Sequence, residues 1–503
     1  KGKAIQTDDS DDNILIKGDN YHALTCLNYT HKNKIDVIYI DPPYNTGKTK
    51  EWKYNDKFID ENDEYRHSKW LNMMDKRLKL AQNLLKKDGV IFISIDDNEL
   101  AQLKMLCDKI FKEDNFVGNI TWERKRKGSH LSDKFTKKTE YILIYSNIGK
   151  NIKLFGANSG PEEDQPLIKR TNSIKNLIIP SNLISTKLKD KIYKKGLYGK
   201  GTSSIELLKD ITVKNGKFIN DLHIKGPFVW TQDNLNEEIK SGANFFIKTI
   251  NFSLRVLKGK EAQGIKALSS LLTRKIGTNE DANEELQNIL GREKGFNYPK
   301  PSSLISVLLQ SKTYFNPNAV ILDFFAGSGT TGHAVLELNK KYGGNRKFIL
   351  CTNDENNICE KVTYPRIEKV IKGYKCKGTV KETLFEKKLA FSQFEKSGIF
   401  LETVNKLIKK NKSKFDKIEK KLEDNTIKII GINNVDKING LGGNLQYFET
   451  SSIPVDGIDK VNDKQRQELT EKAGQMIAIK ENTFEEIETT AYYQIFESKD
   501  KRR

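Results

Sequence analysis

Cysteine and histidine are scarce in this chain of 503 residues, and neither is spaced for cross-linking or metal binding. The six histidines are scattered without ligand spacing. The five cysteines are odd in number and include no C-x-x-C pair; they are Cys26, Cys107, Cys351, Cys359 and Cys376. Such a set predicts neither a disulfide framework nor a zinc site, so we expect reduced thiols, as in cytoplasmic proteins, and no bound metal.

Long apolar runs are also missing. No run approaches the ~20 residues that a membrane helix needs, and the polar start of the chain, residues 1–12, is not a signal peptide. Internal repeats and low-complexity tracts are absent as well. We therefore expect a cytoplasmic protein without membrane association. Because the sequence begins at Lys1 without an initiator Met, we expect that a short upstream piece is missing.

Acidic residues are outnumbered: 86 Lys and Arg against 67 Asp and Glu give a formal net charge of +19 and a pI near 9.3. A basic chain favours a polyanionic partner, because neutralised phosphates release counterions. Abundant Lys, Asn and Ile also suggest an AT-rich genome, whose proteins become basic for codon reasons. The positions of the charges are therefore more informative than their total.

The most informative motif is Asp41-Pro42-Pro43-Tyr44, which directly follows the apolar run Asp36–Ile40. Such a run predicts a buried parallel strand, and chemistry in open α/β sheets collects at the carboxyl ends of these strands. Two prolines stiffen the bend, so the Asp41 carboxylate and the Pro42 carbonyl can project as acceptors beside the flat face of Tyr44. This set suits the exocyclic amino group of a flipped base, although a bare tetrad is also compatible with a chance strand-to-turn junction.

A second motif lies far downstream, where an apolar strand is followed by a glycine-rich turn and a helix beginning near Thr331. The glycines allow a cofactor to approach the backbone, and the helix N-terminus offers unpaired N–H groups. No phosphate-binding lysine follows the glycines, which excludes a P-loop. An acidic residue before them suits a cationic, amino-acid-like cofactor. The predicted cofactor residues are Asp323, Phe324, Phe325, Gly327, Ser328, Gly329, Thr330 and Thr331.

A further predicted strand, Lys347–Cys351, leads to Asp354 and Glu355. A carboxylate at this position can accept hydrogen bonds from ribose hydroxyls. We therefore add both acidic residues to the predicted cofactor site.

Together these segments resemble the Rossmann-like, S-adenosylmethionine-dependent amino-methyltransferases of DNA. With the DPPY element first and the glycine loop last, their order is similar to the circularly permuted beta class. Within it, the chain resembles the modification subunits of type III restriction–modification systems, from about Ile14 to Tyr374 and less sharply beyond. Four strings carry this likeness: residues 41–47, 94–99, 323–331 and 343–350. The resemblance implies an α/β fold with a mixed, mostly parallel sheet and helices on both faces.

The resemblance also gives meaning to two smaller features. Asp19, which follows the short strand Ile14–Ile16, is similar to the family's acidic contact to the cofactor adenine, although an Asp there equally suits a cap of the helix Tyr21–Leu27. Residues 296–304 resemble the segment that leads into the cofactor strand and packs against the methionine end. Lys300 and Ser302 are therefore added to the predicted cofactor site.

Two basic segments near the predicted catalytic edge are candidates for DNA contacts. The first directly follows the tetrad and interleaves cations with aromatic rings, and the second is a basic, glycine-containing loop. A solvated run of charges is the alternative explanation for either. The predicted DNA-binding residues are Asn45, Lys48, Trp52 and Tyr54 in the first segment, and Trp122, Arg124, Lys125, Arg126 and Lys127 in the second.

The length suggests three or four structural units, at roughly 100–200 residues each. Residues 1–147 and 296–374 are predicted to form the catalytic and cofactor-binding halves of a methyltransferase. Residues 148–295, where periodicity weakens, correspond by resemblance to an inserted target-recognition domain. Residues 375–503 are predicted to form a small α+β domain for dimerisation or for docking a restriction subunit, and the family resemblance suggests more chain after Arg503.

Within that tail, helical spacing predicts one long amphipathic helix that packs in a core or a dimer interface rather than on DNA. The apolar stripe comprises Leu401, Val404, Leu407, Ile408, Phe415, Ile418 and Leu422.

The resemblance implies transfer of a methyl group from S-adenosylmethionine to the N6 amino group of a flipped adenine in double-stranded DNA. Asp41 and the Pro42 carbonyl would accept the amino hydrogens while Tyr44 stacks on the base. Three alternatives stay open at this point: the N4 amino group of cytosine, an amide nitrogen of a protein, or a non-catalytic module that only reads DNA. The Asp at position 41 favours adenine by family likeness.

Overall fold

The strand Ile35–Ile40 is buried along its whole length. A continuous apolar run of this kind is expected for a strand covered on both faces. In the structure, which is a computed structural model, the chain forms two compact units. The first comprises residues 1–153 and 269–503, and the second comprises residues 154–268. The structure describes residues 3–7, 12–47, 53–54, 57–58, 64–126, 136–148, 151–159, 165–199, 201, 204–257, 264–291, 296, 298–388, 397–423, 425–451, 462–490, 493–498 and 501–502.

A ten-stranded sheet forms the centre of the first unit, with the order β1-β10-β2-β9-β8-β3-β4-β6-β5-β7. The six consecutive strands from β10 to β4 are parallel to their neighbours, while β1 and β6 run antiparallel to theirs. The prediction of a mixed, mostly parallel sheet is confirmed. The strands are β1 (Ala4–Ile5), β2 (Asp12–Lys17), β3 (Ile35–Ile40), β4 (Leu85–Ile95), β5 (Phe116–Glu123), β6 (Thr139–Ser146), β7 (Leu271–Leu272), β8 (Val320–Asp323), β9 (Lys347–Thr352) and β10 (Asn444–Glu449).

Helices cover both faces of this sheet. Ile38 and Ile40 of β3 share a core cluster with Trp70, while the alternating Val37 and Tyr39 are buried on the opposite face. None of the described helices is long and apolar enough to cross a membrane. The α-helices of this unit are α1 (Asn20–Thr30), α2 (Arg66–Leu84), α3 (Leu100–Phe111), α4 (Asn279–Leu290), α5 (Ser302–Thr313), α6 (Thr330–Tyr342), α7 (Tyr364–Lys372), α8 (Ser397–Asn411) and α9 (Asp463–Glu481).

Helix α2 illustrates how the sequence pattern positions these elements. Its buried residues recur at helical spacing, at Trp70, Met73, Met74, Leu78 and Ala81. The helix contacts α1 on one side and α3 on the other. On the opposite face, α5 packs on α6 and on β3, and α4 and α6 both pack on α7. Short helical turns at Glu113–Asn115, Glu355–Asn357 and Cys359–Thr363 connect these elements.

The second unit has a hydrophobic core of its own, which includes Leu177, Ile224, Phe228 and Phe245. The unit contains a seven-stranded sheet, a four-stranded sheet and the helix Gln232–Lys240, whose Leu235 belongs to the same core, and Phe155–Ser159 pairs with Gly264–Ala267. The larger sheet contains Gln165–Pro166, Leu254–Leu257, Asn244–Ile247, Ile184–Thr186, Lys217–Phe218, Ile211–Lys214 and Lys191–Tyr193. The smaller contains Lys175–Ile179, Leu222–Gly226, Ile205–Leu207 and Gly196–Tyr198.

The tail departs from the prediction in two respects. The predicted long helix ends at Asn411, because Lys417–Glu423 forms a strand that pairs with Thr426–Asn439, which also pairs with Gly373–Lys388. Ile418 and Leu422 therefore lie on a strand. In addition, residues 444–449 form β10, which lies between β1 and β2 in the main sheet. A final small sheet contains Glu485–Thr489, Gln494–Ser498 and Lys501–Arg502.

Candidate active site

The two predicted motifs lie at the carboxyl ends of neighbouring parallel strands. Asp41 follows β3 directly, and Asp323 is the last residue of β8, the strand beside it. Because parallel strands end at the same edge of a sheet, the structure brings the two carboxylates to one site although 282 positions separate them in the chain (323 − 41). Asp19 and Asp354 follow β2 and β9 at the same edge.

The backbone of the DPPY tetrad is held by buried side chains. The indole N–H of Trp70, a fully buried residue, donates to the Pro43 carbonyl at 2.7 Å. Asn45, in the left-handed region at φ 56°, is 1% exposed and donates to the buried Glu99, which also contacts His67 at 2.6 Å. These contacts fix the turn that aims Asp41 out of the strand.

Asp41 lies in a network of charged groups. The Lys300 ammonium is 2.7 Å from both oxygens of its carboxylate, and the Tyr44 hydroxyl donates to Oδ1 at 2.8 Å. The buried Glu140 lies 3.2 Å from the Tyr44 hydroxyl and 3.6 Å from Lys300 Nζ. Arg124 forms an ion pair with Glu140 at 3.0 Å. Two anions and two cations therefore balance in charge around the tetrad.

Two groups in this network have shifted pKa values. Burial, followed by the charges of Asp41 and Glu140, raises the pKa of Tyr44 well above its ordinary value, so the hydroxyl remains a donor. Burial would lower the pKa of Lys300, but Asp41 and Glu140 outweigh it and raise that pKa. Lys300 is therefore a cation at neutral pH although it is 8% exposed.

The glycine loop is shaped around Asp323. Its carboxylate is buried and accepts hydrogen bonds from the Phe325 N–H at 3.0 Å and the Thr331 hydroxyl at 2.5 Å. Gly327 and Gly329 adopt φ values of 50° and 77°, which a residue with a Cβ rarely adopts. The remaining predicted residues line the same turn: Phe324 and Ser328 are buried, Phe325 packs on the core with the Phe324 ring 5.3 Å away, and Thr330 begins α6.

Burial raises the pKa of Asp323 to about 7, with a further contribution from the charge of Asp41, while the hydrogen bonds from Thr331 and Phe325 act in the opposite direction. Among the residues that the structure describes, no cation pairs with this carboxylate. A buried carboxylate with two hydrogen bonds and no counterion is a site at which a ligand cation would bind.

Asp19 caps α1, as the alternative to an adenine contact predicted. Its carboxylate accepts from the Tyr21 N–H at 2.7 Å and pairs with Arg77 at 3.1 Å. The next residue, Asn20, donates to the Phe324 carbonyl at 2.8 Å. The cap therefore lies beside the cofactor strand, and a contact of Asp19 with a cofactor stays a prediction.

The other predicted cofactor residues have partners within the protein. Asp354 accepts from the Cys359 N–H at 3.1 Å and lies 3.3 Å from Lys17, and Glu355 is exposed at the start of a short helical turn. The Ser302 N–H donates to Glu285 at 3.1 Å. Lys300, predicted to be near the methionine end of the cofactor, contacts the tetrad instead.

Two predicted DNA contacts do not fit the structure. Trp122 is 1% exposed, and its indole N–H donates to the Gly277 carbonyl at 3.0 Å, so the side chain belongs to the core. Asn45 is equally buried against Glu99. Each side chain carries an N–H donor that could contact DNA, but in the structure that donor is bonded inside the protein, to Gly277 for Trp122 and to Glu99 for Asn45.

The basic loop contributes two types of side chain to the described structure. Arg124 is half-buried on Glu140, whereas Arg126 is exposed and pairs with Asp281. Lys125 is half-buried, and Tyr54 belongs to the short strand Lys53–Tyr54. Lys48, Trp52 and Lys127 lie outside the described residues.

Sequence reasoning missed a buried network behind the glycine loop. Arg366, which is fully buried, donates to the Thr330 hydroxyl at 2.8 Å and the Ser328 hydroxyl at 3.1 Å, and pairs with Glu285 at 3.1 Å. His333 lies 2.7 Å from the same Glu285 oxygen. The network thereby connects helix α4 with the loop. The only advance signal was a lone arginine on the apolar face of Tyr364–Lys372.

The network predicts a pH-dependent contribution to stability. Burial would raise the pKa of Glu285, but Arg366 and His333 outweigh it and lower the pKa from 4.5 to about 2. A lowered pKa in the folded state stabilises the fold above the ordinary pKa, and that stability is lost as the pH falls from about 4.5 to about 2. Glu285→Gln should lower the free energy of unfolding at pH 7 on the order of 3 kcal/mol, with a smaller difference at pH 3.

Urea titrations at both pH values measure that difference. The control is Glu368→Gln, since Glu368 pairs at 2.9 Å with Lys372 on the surface of α7 and is 35% exposed; this variant should unfold like the parent protein. A Glu285→Gln deficit of the same size at pH 3 and pH 7 would contradict the assignment.

Known DNA methylases resemble this chain over most of its length. A family model described as DNA methylase matches residues 35–362. The type III restriction-modification enzyme StyLTI Mod subunit of Salmonella typhimurium strain LT2 is 32% identical over 383 residues, which cover 71% of this chain and 55% of the relative. Three more relatives are named as definite or probable Mod subunits of type III enzymes. The chain spans about half the length of these type III relatives.

The type II methyltransferase M.KpnI of Klebsiella pneumoniae is 32% identical over 355 residues, which cover 68% of this chain and 81% of that relative. Among solved structures, that of an M1.HpyAVI–SAM complex has a TM-score of 0.31 and 13% identity, and it covers 69% of this chain and 95% of the other. The predicted resemblance to type III modification subunits is confirmed. Since the family model spans both strand-end motifs, the chain belongs to the DNA methylase family of N6 and N4 methyltransferases.

Proposed function

We propose that this protein transfers a methyl group from S-adenosylmethionine to the N6 amino group of a flipped adenine in double-stranded DNA. The observation that carries the proposal is the position of Asp41 and Asp323 at the ends of neighbouring parallel strands. One carboxylate follows a rigid Pro-Pro bend beside an aromatic ring, and the other lies in a glycine turn. A substrate amino group and a cofactor can therefore be held side by side at this edge.

The residues around Asp323 fit such a cofactor. The buried carboxylate has no cation partner among the described residues and would pair with the ammonium of the methionine moiety. The turn needs glycine at both left-handed positions, since a Cβ at Gly327 would lie 3.3 Å from Phe296 and one at Gly329 would lie 3.2 Å from Thr363. Asp19, Asp354, Glu355 and Ser302 are proposed to complete the site. When bound, the cofactor supplies an electrophilic methyl group on a sulfonium.

The DPPY tetrad would bind and orient the substrate base. Asp41 and the Pro42 carbonyl accept the two amino hydrogens, so the nitrogen lone pair turns out of conjugation and towards the methyl group. Tyr44 stacks on the base. Transfer of the methyl group would break its bond to sulfur and form a bond to the nitrogen, which would take the positive charge and then lose its extra proton along the hydrogen bond to Asp41. Because a cationic nitrogen loses that proton readily, no strong base is required, and positioning supplies most of the acceleration.

The surrounding segments are assigned by resemblance and by charge. The second compact unit, residues 154–268, is proposed to recognise the target sequence; the predicted segment 148–295 also contains β7 and α4, which belong to the first unit. Arg124, Lys125 and Arg126 are proposed to support the DNA backbone near the tetrad. Residues 375–503, apart from β10 in the main sheet, are proposed to dimerise or to dock a restriction subunit. The type III relatives, which are named Mod subunits, support a modification subunit with such a partner, whereas M.KpnI is named a type II methyltransferase.

The test is to incubate the chain with S-adenosylmethionine and unmethylated genomic DNA and to map modified bases by single-molecule sequencing. We expect N6-methyladenine on one strand of a short asymmetric motif. Methylation of both strands of a palindrome would instead favour a type II methyltransferase, as M.KpnI is named. N4-methylcytosine, or folded protein that binds the cofactor without modifying DNA, would overturn the proposed substrate.

Substitutions at Tyr44 separate its ring from its hydroxyl. Tyr44→Ala should remove base stacking and weaken productive binding of DNA by about 1–3 kcal/mol. Tyr44→Phe keeps the ring and loses the hydrogen bond to Asp41, at a cost of about 1 kcal/mol. Steady-state kcat/KM on DNA that carries the mapped motif measures both. Equal impairment in the two variants would show that the hydroxyl, and not the ring, is the important group.

A further inference from the structure

Lys300 was expected near the cofactor, but its contacts lie on the substrate side of the site. Its ammonium is 2.7 Å from each oxygen of Asp41, 3.6 Å from Glu140 and 5.0 Å from the centre of the Tyr44 ring. The side chain is 9% exposed. The glycine-loop carboxylate, Asp323, has no ion pair with it.

This geometry restricts how Asp41 can bind a substrate. A carboxylate offers about four acceptor positions. Lys300 takes one on each oxygen, and the Tyr44 hydroxyl takes another on Oδ1. One position on Oδ2 is left, and the plane of the carboxylate is held by contacts on both oxygens. A single amino hydrogen of the base would therefore meet an acceptor with a defined direction.

Charge is the second consideration. Asp41 and Glu140 lie within reach of the same ammonium, and Asp323 ends the neighbouring strand. Two carboxylates beside one site repel each other unless a cation is paired with each of them. Lys300 supplies that cation for Asp41, and Arg124 supplies it for Glu140. Without Lys300, the Asp41 carboxylate would lose the two contacts that fix its direction and would be repelled by Glu140.

We infer that Lys300 is a positioning residue for methyl transfer, which holds the Asp41 carboxylate in the orientation that accepts the amino hydrogen, and does not bind the cofactor. Glu140, 3.6 Å from the ammonium, is its second partner. The inference rests on the proposed function and assigns a role that the DPPY motif alone does not contain.

The experiment compares Lys300→Met, Lys300→Arg and a matched control, Lys312→Met. Lys312 also pairs with an aspartate, Asp88, at 2.7 Å, but Asp88 lies near the start of β4 and away from the site. Isothermal titration gives the affinity for S-adenosylmethionine, and single-turnover transfer of a radiolabelled methyl group to unmethylated genomic DNA gives the rate. Both are measured at pH 7, and thermal unfolding checks that each variant is folded.

We expect Lys300→Met to bind the cofactor like the parent protein and to transfer the methyl group about a hundredfold more slowly at pH 7, the loss that a small misplacement of a reacting group produces. The loss should appear in the transfer rate and not in the cofactor affinity, because the contacts of Lys300 lie on Asp41, Glu140 and Tyr44. Lys300→Arg should recover part of the rate, and Lys312→Met should match the parent. Glu140→Gln, which leaves Lys300 in place, should slow transfer without weakening cofactor binding.

The inference is overturned if Lys300→Met loses cofactor affinity but transfers normally at saturating cofactor, since Lys300 would then act on the cofactor. It is also overturned if Lys300→Arg transfers no faster than Lys300→Met, because the cationic contacts with Asp41 would then not account for the loss. A parent protein that methylates nothing would instead refute the proposed function, because that result does not depend on any substitution.

Discussion

Replacing Asp41 by Ala should abolish detectable methyl transfer while cofactor binding stays nearly intact. The loss should be at least about 10²–10³-fold, as when one charge-stabilising hydrogen-bonding group is removed from an active site. The affinity should persist because the proposed cofactor contacts lie on the neighbouring strand end and its glycine loop, at Asp323 and beyond. Single-turnover transfer and calorimetric titration of the cofactor measure the two quantities on the same preparation.

The control is Asp88→Ala, because Asp88 also forms a 2.7 Å ion pair with a lysine but is 58% exposed. It should leave both quantities unchanged. Asp41→Ala leaves the buried Lys300 with Glu140 as its remaining partner, so Asp41→Asn, which preserves shape and one acceptor, is measured beside it. Equal loss of transfer and of cofactor affinity in Asp41→Asn would refute the division of roles between the two strand ends.

The strand ends that carry the site could be predicted because their signals are local. Apolar runs ending in Ile40, Asp323 and Cys351 predicted buried strands, and the structure forms β3, β8 and β9 at these positions. A short, continuous apolar run fits a central strand of a parallel sheet, which helices bury on both faces. Because neighbouring parallel strands end at the same edge of the sheet, the residues that follow them lie close together whatever their distance in the sequence.

The partners around those strand ends could not be predicted in the same way. Lys300 is 259 positions from Asp41, and Glu140 is 96 positions from Tyr44. Nothing in the local pattern of either residue indicates the other, because an ion pair between distant segments depends on how the whole sheet packs. Glu140 gave one indirect signal, a lone acid at the start of the apolar run of β6.

The tail shows how an ambiguous pattern is resolved. Apolar residues at 415, 418 and 422 fit helical spacing, but residues 417–423 pair with Thr426–Asn439 as a strand. A short segment with two apolar residues among lysine and glutamate is compatible with either form, so the pairing with the neighbouring strand decides. Strand β10 similarly depends on pairing with β2, more than 400 positions earlier, and no local signal predicts that register.

Changing Asp323 should separate cofactor binding from stability, and the two effects should have opposite signs. Its pKa in the folded protein is about 7, against an ordinary 3.8, so the ionised form is disfavoured by burial. A raised pKa of an acid means that the fold loses stability as the pH rises from about 4 to about 7. Asp323→Asn removes this penalty and should therefore unfold at a higher temperature than the parent at pH 8.

The same substitution should weaken binding of S-adenosylmethionine about 10–100-fold, the worth of one charge-assisted hydrogen bond. In the parent protein, affinity should fall about tenfold per unit below pH 7, as Asp323 takes up a proton. It should fall again above about pH 8, where an α-amino group loses its charge. Calorimetric titrations from pH 6 to pH 9 should give this bell. If Asp323→Asn retained the acidic side of the bell, another group would have to bind the cofactor ammonium.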